Sequence, residues 1–226
     1  MKNKVFAFFG FMMSILVSAQ VSLVEVKKVH ENSDKFLYKI DSAQTQKAEY
    51  LGKLEVNGFE LDDVAVFNEV YKKAKSTGAN AYHLQLKPTI EGKPVFNPSF
   101  YSLLLYFIDE KQYGKEENQI YLISSSEKAI KVRINNQKIL LEPRSFIKLN
   151  LNQIHEADIA VGGFLGSRIQ LKQQSNQPNQ YFQISGAKIS TNSYGEGGLN
   201  LKSGDFITLE KSFAQFLLTI YQEKTF

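Results

Sequence analysis

Apolar residues change their spacing near residue 110, and that change divides the chain into two parts. Before it, Val21 to Val29 and Phe36-Leu37-Tyr38-Lys39-Ile40 read as short strands, and Tyr50 to Phe59 alternates with Leu54 and Val56 on one face. Asp62 stands where a helix N-cap is wanted. Val64, Phe67, Val70 or Tyr71, and Ala74 then follow at the spacing of one helical face, as far as about Thr77. Asp62 and Asp63 lie at the positive end of that helix, and Lys72, Lys73 and Lys75 lie at its negative end. Gly78 suits a left-handed terminator. Asn80 to Lys87 alternates again, and Phe100 to Ile108 is an aromatic and aliphatic run.

The charged stretch Asp109 to Asn118 has no apolar period and reads as a boundary or a long exposed turn. Beyond it come short β-type runs: Ile120 to Ser124, Ile130-Val132-Ile134, Ile139 to Leu141, Phe146 to Leu151, Ile159 to Val161, Ile169-Leu171 and Tyr181 to Ile184. Asn135-Asn136, Pro143-Arg144, Asn152-Gln153, Gly162-Gly163 and Ser175 to Asn179 separate them. Phe213, Phe216, Leu217, Ile220 and Tyr221 fit a closing helix docked on the sheet. The pattern predicts an α+β protein. A β-α-β-β unit fills residues 20–112, and an antiparallel β-sandwich-like unit with a C-terminal helix fills 113–226.

Residues 1–19 have a different character. Lys2 and Lys4 precede an apolar run from Val5 to Val17, and Val17-Ser18-Ala19 ends it with small residues. This is the layout of a cleavable secretory signal, with the cut expected between Ala19 and Gln20. The run is shorter than the roughly 20 apolar residues of a spanning helix. No cysteine follows it to carry a lipid anchor. The expected location is the periplasm or the medium, with no transmembrane anchor once the signal is removed.

Composition narrows the function classes. The chain has no cysteine, so the fold has neither disulfides nor thiolate metal sites and rests on its core. With the two leader lysines set aside, 25 basic residues face 23 acidic ones, and the charges are scattered. Nucleic-acid binders cluster their basic residues on one face, so no nucleic-acid partner is expected.

Ala48, Leu51-Gly52, Val56 and Gly58, followed by Lys73-Ala74-Lys75-Ser76-Thr77-Gly78-Ala79-Asn80-Ala81, give residues 48–87 a form that resembles the small α/β domain of the YbjQ-like and RcsF-like envelope and stress-related families. The resemblance covers under a fifth of the chain. It implies close packing at Ala74 and a chain reversal at Gly78, so it speaks to shape more than to chemistry. RcsF-like proteins also carry disulfides, which this chain cannot form. The second half resembles small secreted β-domains of unknown function.

Candidate chemistry is sparse. His30, His83 and His155 have no partner at zinc-ligand spacing. Gly162-Gly163-Phe164-Leu165-Gly166-Ser167 and Ser193-Tyr194-Gly195 do not form a nucleophile elbow, and Gly195-Glu196-Gly197-Gly198 lacks the signature of a phosphate loop. The acid pairs Asp62-Asp63, Asp109-Glu110 and Glu116-Glu117 are adjacent in sequence, whereas glycosidase carboxylates face each other across a cleft. Capping accounts for the first pair and solvation of a linker for the others. Tyr101, Tyr106, Tyr181 and Tyr194 are the candidate ligand surface, weighed against ordinary core-facing strand aromatics. No catalytic, cofactor or metal site is expected. The leading expectation is an exported, non-enzymatic envelope protein that binds another envelope protein or a cell-surface component. The alternatives are an exported hydrolase whose site assembles only in three dimensions, and a small-ligand or metal carrier.

Overall fold

A computed structural model describes residues 20–58, 62–88, 94–114, 116–162, 166–185, 188–191, 199–202 and 204–225. The expected leader, and with it Ala19, lies outside the described residues, as do Tyr194 and the 195–198 glycine stretch.

The first half contributes β1 (Gln20–Val26), β2 (Tyr38–Lys39), the short helix α1 (Ser42–Thr45), β3 (Glu49–Asn57), α2 (Asp63–Ser76), β4 (Ala81–Gln85), the small pair β5 (Lys87–Pro88) and β6 (Pro94–Val95), and β7 (Phe100–Phe107). Its main sheet runs β1-β3-β7-β4-β2. Only the β2–β4 pairing in that sheet is parallel. Asp62 caps α2 by accepting from the Val64 and Ala65 amides. The helix ends at Gly78, whose φ of +76° needs a glycine, because a Cβ there would lie 1.7 Å from the His30 carbonyl oxygen. The buried stripe of α2 is Val66, Phe67, Val70 and Ala74. Val64, expected on it, is 53% exposed. Asp63 lies on the same face as Val66, Phe67, Val70 and Ala74, which leaves Val64 at the exposed margin.

The second half contributes β8 (Gln119–Ser124), β9 (Ile130–Ile134), β10 (Gln137–Leu141), β11 (Ser145–Asn150), α3 (Leu151–Ile154), β12 (Glu156–Val161), β13 (Ser167–Lys172), β14 (Gln180–Ser185), β15 (Lys188–Thr191), β16 (Leu199–Lys202), β17 (Asp205–Thr208), α4 (Lys211–Ile220) and β18 (Gln222–Glu223). One sheet runs β17-β14-β8-β11-β18 and a second runs β10-β9-β12-β13. The β9–β10 hairpin turns on Asn135 and Asn136, both at positive φ, as a tight two-residue turn requires. The sandwich-like reading holds. It is not purely antiparallel, however, since β8 pairs parallel with β14 and β11 with β18.

Ile120, Leu122, Ile147, Leu149 and Ile184 meet Val132, Ile134, Ile159 and Val161 between the two sheets of the second half. The opposite face of β8, β11 and β14 presents Tyr121, Ile123, Phe146 and Tyr181, and these belong to the same buried cluster as α2, α4 and the first sheet. Every residue of β8 is buried because both of its faces are covered. The main core therefore runs across the 112/113 boundary. The closing helix has a role beyond its own half: Phe216 and Leu217 are fully buried in that shared core, and Phe216 lies 5.5 Å from the Phe67 ring of α2.

A shared core should unfold as one unit. Urea denaturation of the chain from Gln20 onward, followed by tyrosine fluorescence and circular dichroism, is expected to give one coincident transition. Phe216→Ala should lower the unfolding free energy by about 3–5 kcal/mol. Two separate transitions would show that the halves are independent.

Candidate functional site

Two clusters of polar and aromatic side chains stand out among the described residues. The first joins the halves at the N-terminus of α2. Asp63 is 9% exposed, and one of its carboxylate oxygens accepts from Arg144 Nη1 at 2.9 Å and from the Tyr221 hydroxyl. Arg144 sits in the turn between β10 and β11 at φ +52°, a conformation that strains any residue with a side chain. From there its guanidinium lies over the Tyr221 ring at 4.8 Å, and its carbonyl accepts from the Gln222 amide. Val56, Gly58, Val66, Pro98, Tyr101 and Ile220 complete the walls of a crevice with room for about one water molecule. Burial pushes the Asp63 carboxyl above its ordinary value, although the Tyr221 hydroxyl and Arg144 both pull it down. Burial likewise raises Tyr101 and Tyr221. A carboxylate already holding two donors in so small a space braces the fold.

The second cluster lies at the N-terminus of α4. Lys211 Nζ stands 4.7 Å from the Tyr38 ring centroid, 5.3 Å from that of Tyr113 and 6.0 Å from that of Phe36. Two segments supply the rings: Phe36 and Tyr38 come from β2 and the residues before it, and Tyr113 from the turn after β7. Phe36 and Tyr38 are 5.7 Å apart, and Tyr38 and Tyr113 are 4.2 Å apart. Phe36 is 42% exposed, whereas Tyr38 is buried. The Tyr38 hydroxyl is pushed up to about 12, by burial first and then by the nearby negative charges of Asp34 and Glu110.

Behind the rings, α4 is fastened to β2 by its polar face. The Leu37 amide donates to Ser212 Oγ at 3.1 Å, and the Lys39 amide donates to Gln215 Oε1 at 2.9 Å. Gln215 Nε2 in turn donates to the Tyr113 hydroxyl at 3.0 Å. The intervening amides, Tyr38 and Ile40, point the other way to carbonyls of Asn80 and Tyr82. Both sides of the β2 strand are thus satisfied, one by β4 and one by a helix.

Of the tyrosines expected to form a ligand surface, Tyr194 lies outside the described residues and the other three are buried. Tyr101, Tyr106 and Tyr181 are 4%, 8% and 4% exposed. Tyr101 walls the crevice, Tyr106 packs on the outer side of the first sheet with Tyr38 and Ile108, and Tyr181 stacks on Tyr121 at 5.1 Å. Central strands covered on both faces leave their aromatics no route to solvent. The histidines stay apart: His30 stacks on Phe107, His83 contacts the Ile40 carbonyl, and His155 contacts Gln173. Among the described residues, no three His, Asp or Glu side chains come together as a metal site. The acid pairs also separate in role. Asp62 caps the helix, Asp63 is the buried brace, and Glu116 accepts from Tyr121 and pairs with Lys148. Among the described residues, no helix is long and apolar enough to cross a membrane.

With the two sheets of its second half packed face to face and α2 and α4 sharing a core with the first-half sheet, the chain is an α+β protein of sandwich-like build. No family model, curated protein or solved structure matches it.

The Asp63 brace carries three expected outcomes. Arg144→Ala should cost about 2–3 kcal/mol, because it leaves a buried carboxylate without its cation. Arg144→Gly, which removes the same contacts but accepts positive φ, should be about 1 kcal/mol less damaging. An acid raised in the folded state contributes stability that is complete below its unfolded value and is lost as pH rises through the folded one. The stability of the wild type relative to Asp63→Asn should therefore increase as pH is lowered from about 7 toward about 4, read by urea denaturation at each pH. A difference that shrinks over that range would refute the assignment.

Proposed function

We propose that the chain is an exported, non-enzymatic binding protein of the cell envelope, recognising a partner through the surface around Phe36, Tyr38 and Tyr113. The observation that carries this reading is the grouping of three rings from two separated segments around a cation at the surface. Packing alone does not call for such an arrangement beside carboxylates. The sequence of residues 1–19 supports export, and the role of Asp63 as a brace supports the non-enzymatic side.

Two measurements test the reading. The intact mass of protein recovered from the periplasm or medium should correspond to a chain beginning at Gln20. Purified mature protein should co-sediment with isolated envelopes of its own cells, and Phe36→Ala should reduce the bound fraction several-fold without moving the thermal melting point. A full-length mass, or co-sedimentation indifferent to Phe36, would reject the corresponding half of the proposal.

A further inference from the structure

We propose that the outer face of the β9–β10 hairpin docks on anionic phospholipid, with Lys131, Arg133 and Lys138 meeting the headgroups and Leu140 reaching past them. This surface is separate from the Phe36 surface proposed above and does not rest on it.

Charges that are scattered in the sequence converge here because a strand sends alternate side chains to opposite faces. In the β10-β9-β12-β13 sheet, Val132, Ile159 and Leu141 point into the sandwich core. That core lies against β8, β11 and β14, whose other side meets the first half, so the outer face of the sheet looks away from the first half. On it stand Lys131 and Arg133 from β9 and Lys138 and Leu140 from β10, all exposed. Glu156 and Asp158 from β12 and Arg168 and Lys172 from β13 share the same face. The two carboxylates are already matched. Arg168 binds both oxygens of Asp158, and Lys172 lies 3.4 Å from Glu156. Lys131, Arg133 and Lys138 form no ion pair and no side-chain hydrogen bond among the described residues. Glu127 and Glu142, together with Lys128, lie beyond the strand ends at Ile130 and Leu141.

Lys138 is directly opposite Arg133 in the ladder. Side chains so placed start about 5 Å apart, and like charges there repel. A negative surface laid over the hairpin relieves that repulsion. The hairpin is also held firmly for the purpose: the Asn135 amide donates to the Asp158 carbonyl at 2.9 Å, and the Asp158 amide donates to Asn135 Oδ1 at 2.8 Å.

Leu140 selects lipid among the anionic partners. It lies opposite Lys131 and is 51% exposed, an apolar tip among cations. At a bilayer surface, lysine and arginine reach the phosphates while an apolar neighbour enters the acyl boundary. A soluble polyanion would engage the cations and gain nothing from the leucine. Four strands about 4.8 Å apart present an extended face, which matches a layer of headgroups better than one small ligand.

The test is co-flotation of the chain from Gln20 onward with large vesicles, the apolar leader being omitted because it would bind lipid by itself. The vesicles are phosphatidylcholine, alone or with about 30% phosphatidylglycerol, in about 0.05 M and about 0.5 M salt. Binding is expected to the anionic vesicles only, and to weaken at high salt. Each basic residue at an anionic leaflet is worth about fivefold in partitioning, so Lys131→Gln, Arg133→Gln and Lys138→Gln together should reduce it about 100-fold. That variant should melt no lower than the wild type, since the change removes a repulsion. Leu140→Ala should weaken binding about threefold. Lys47→Gln, Lys72→Gln and Lys111→Gln together make the same change in net charge elsewhere and should leave binding within about twofold. Phe36→Ala should have no effect on these protein-free vesicles, so this surface and the Phe36 surface stand or fall separately. Equal binding to neutral vesicles overturns the proposal, as does an equal loss in the two triple variants. Binding to heparin through Lys131, Arg133 and Lys138 without binding to vesicles would assign the face to a polyanionic chain and likewise overturn it.

Discussion

The fold depends on what α4 does with both of its faces. Its apolar side, Ala214, Phe216, Leu217 and Ile220, fills the space between the first sheet, α2 and the inner face of the β8-β11-β14 sheet. Its polar side is also buried, and there Ser212 and Gln215 accept the two amides that β2 turns away from β4. Burying a helix flank of Ser, Gln and Thr would be costly if their polar atoms went unpaired. Here the polar atoms on each side answer one another, with Thr219 meeting the Tyr82 hydroxyl at 3.0 Å. The same contact protects the edge of a sheet, since an open strand edge invites pairing with other chains.

The Asp63 cluster works by a different balance. A carboxylate there is held by an arginine in a strained turn and by a tyrosine at the end of α4, so three distant segments meet at one oxygen atom. Burial opposes the charge that makes the pairing useful, and the raised carboxyl records that opposition. Buried ion pairs of this kind often add little net stability over a well-packed apolar substitute. What the cluster contributes is position, because it fixes the β10–β11 turn against the start of α2 and sets the register of the two halves.

Local order was readable from the sequence where periodicity and capping agree. β3, α2 with its Asp62 cap, the left-handed Gly78 and the Asn135-Asn136 hairpin all follow from neighbours a few residues apart. The docking partner of α4 was not readable, because the amide of Leu37 and the hydroxyl of Ser212 are 175 residues apart. Strand direction was equally hidden: alternation in β8 and β14 is the same whether they run parallel or antiparallel. Adjacent aspartates gave no sign that one would cap and the other be buried. The aromatic runs were ambiguous, and two-sided burial decided the case for Tyr101 and Tyr181. The ring cluster went unseen because it draws on two segments and a lysine from a third. The spacing of Phe36 and Tyr38, two apart on one face of an extended stretch, was the only local hint.

The helix that seals the edge of β2 is made long after the strand it covers, since Ser212 follows Leu37 by 175 residues. Until residues near 215 have emerged, the amides of Leu37 and Lys39 have no acceptor on that side, and the inner faces of two sheets lack their filling. Contacts between such remote positions form slowly, since a long loop must close before they can be made. Assembly of the first sheet is thereby tied to synthesis of α4. A growing chain that has not yet reached α4 carries an uncovered margin along β2.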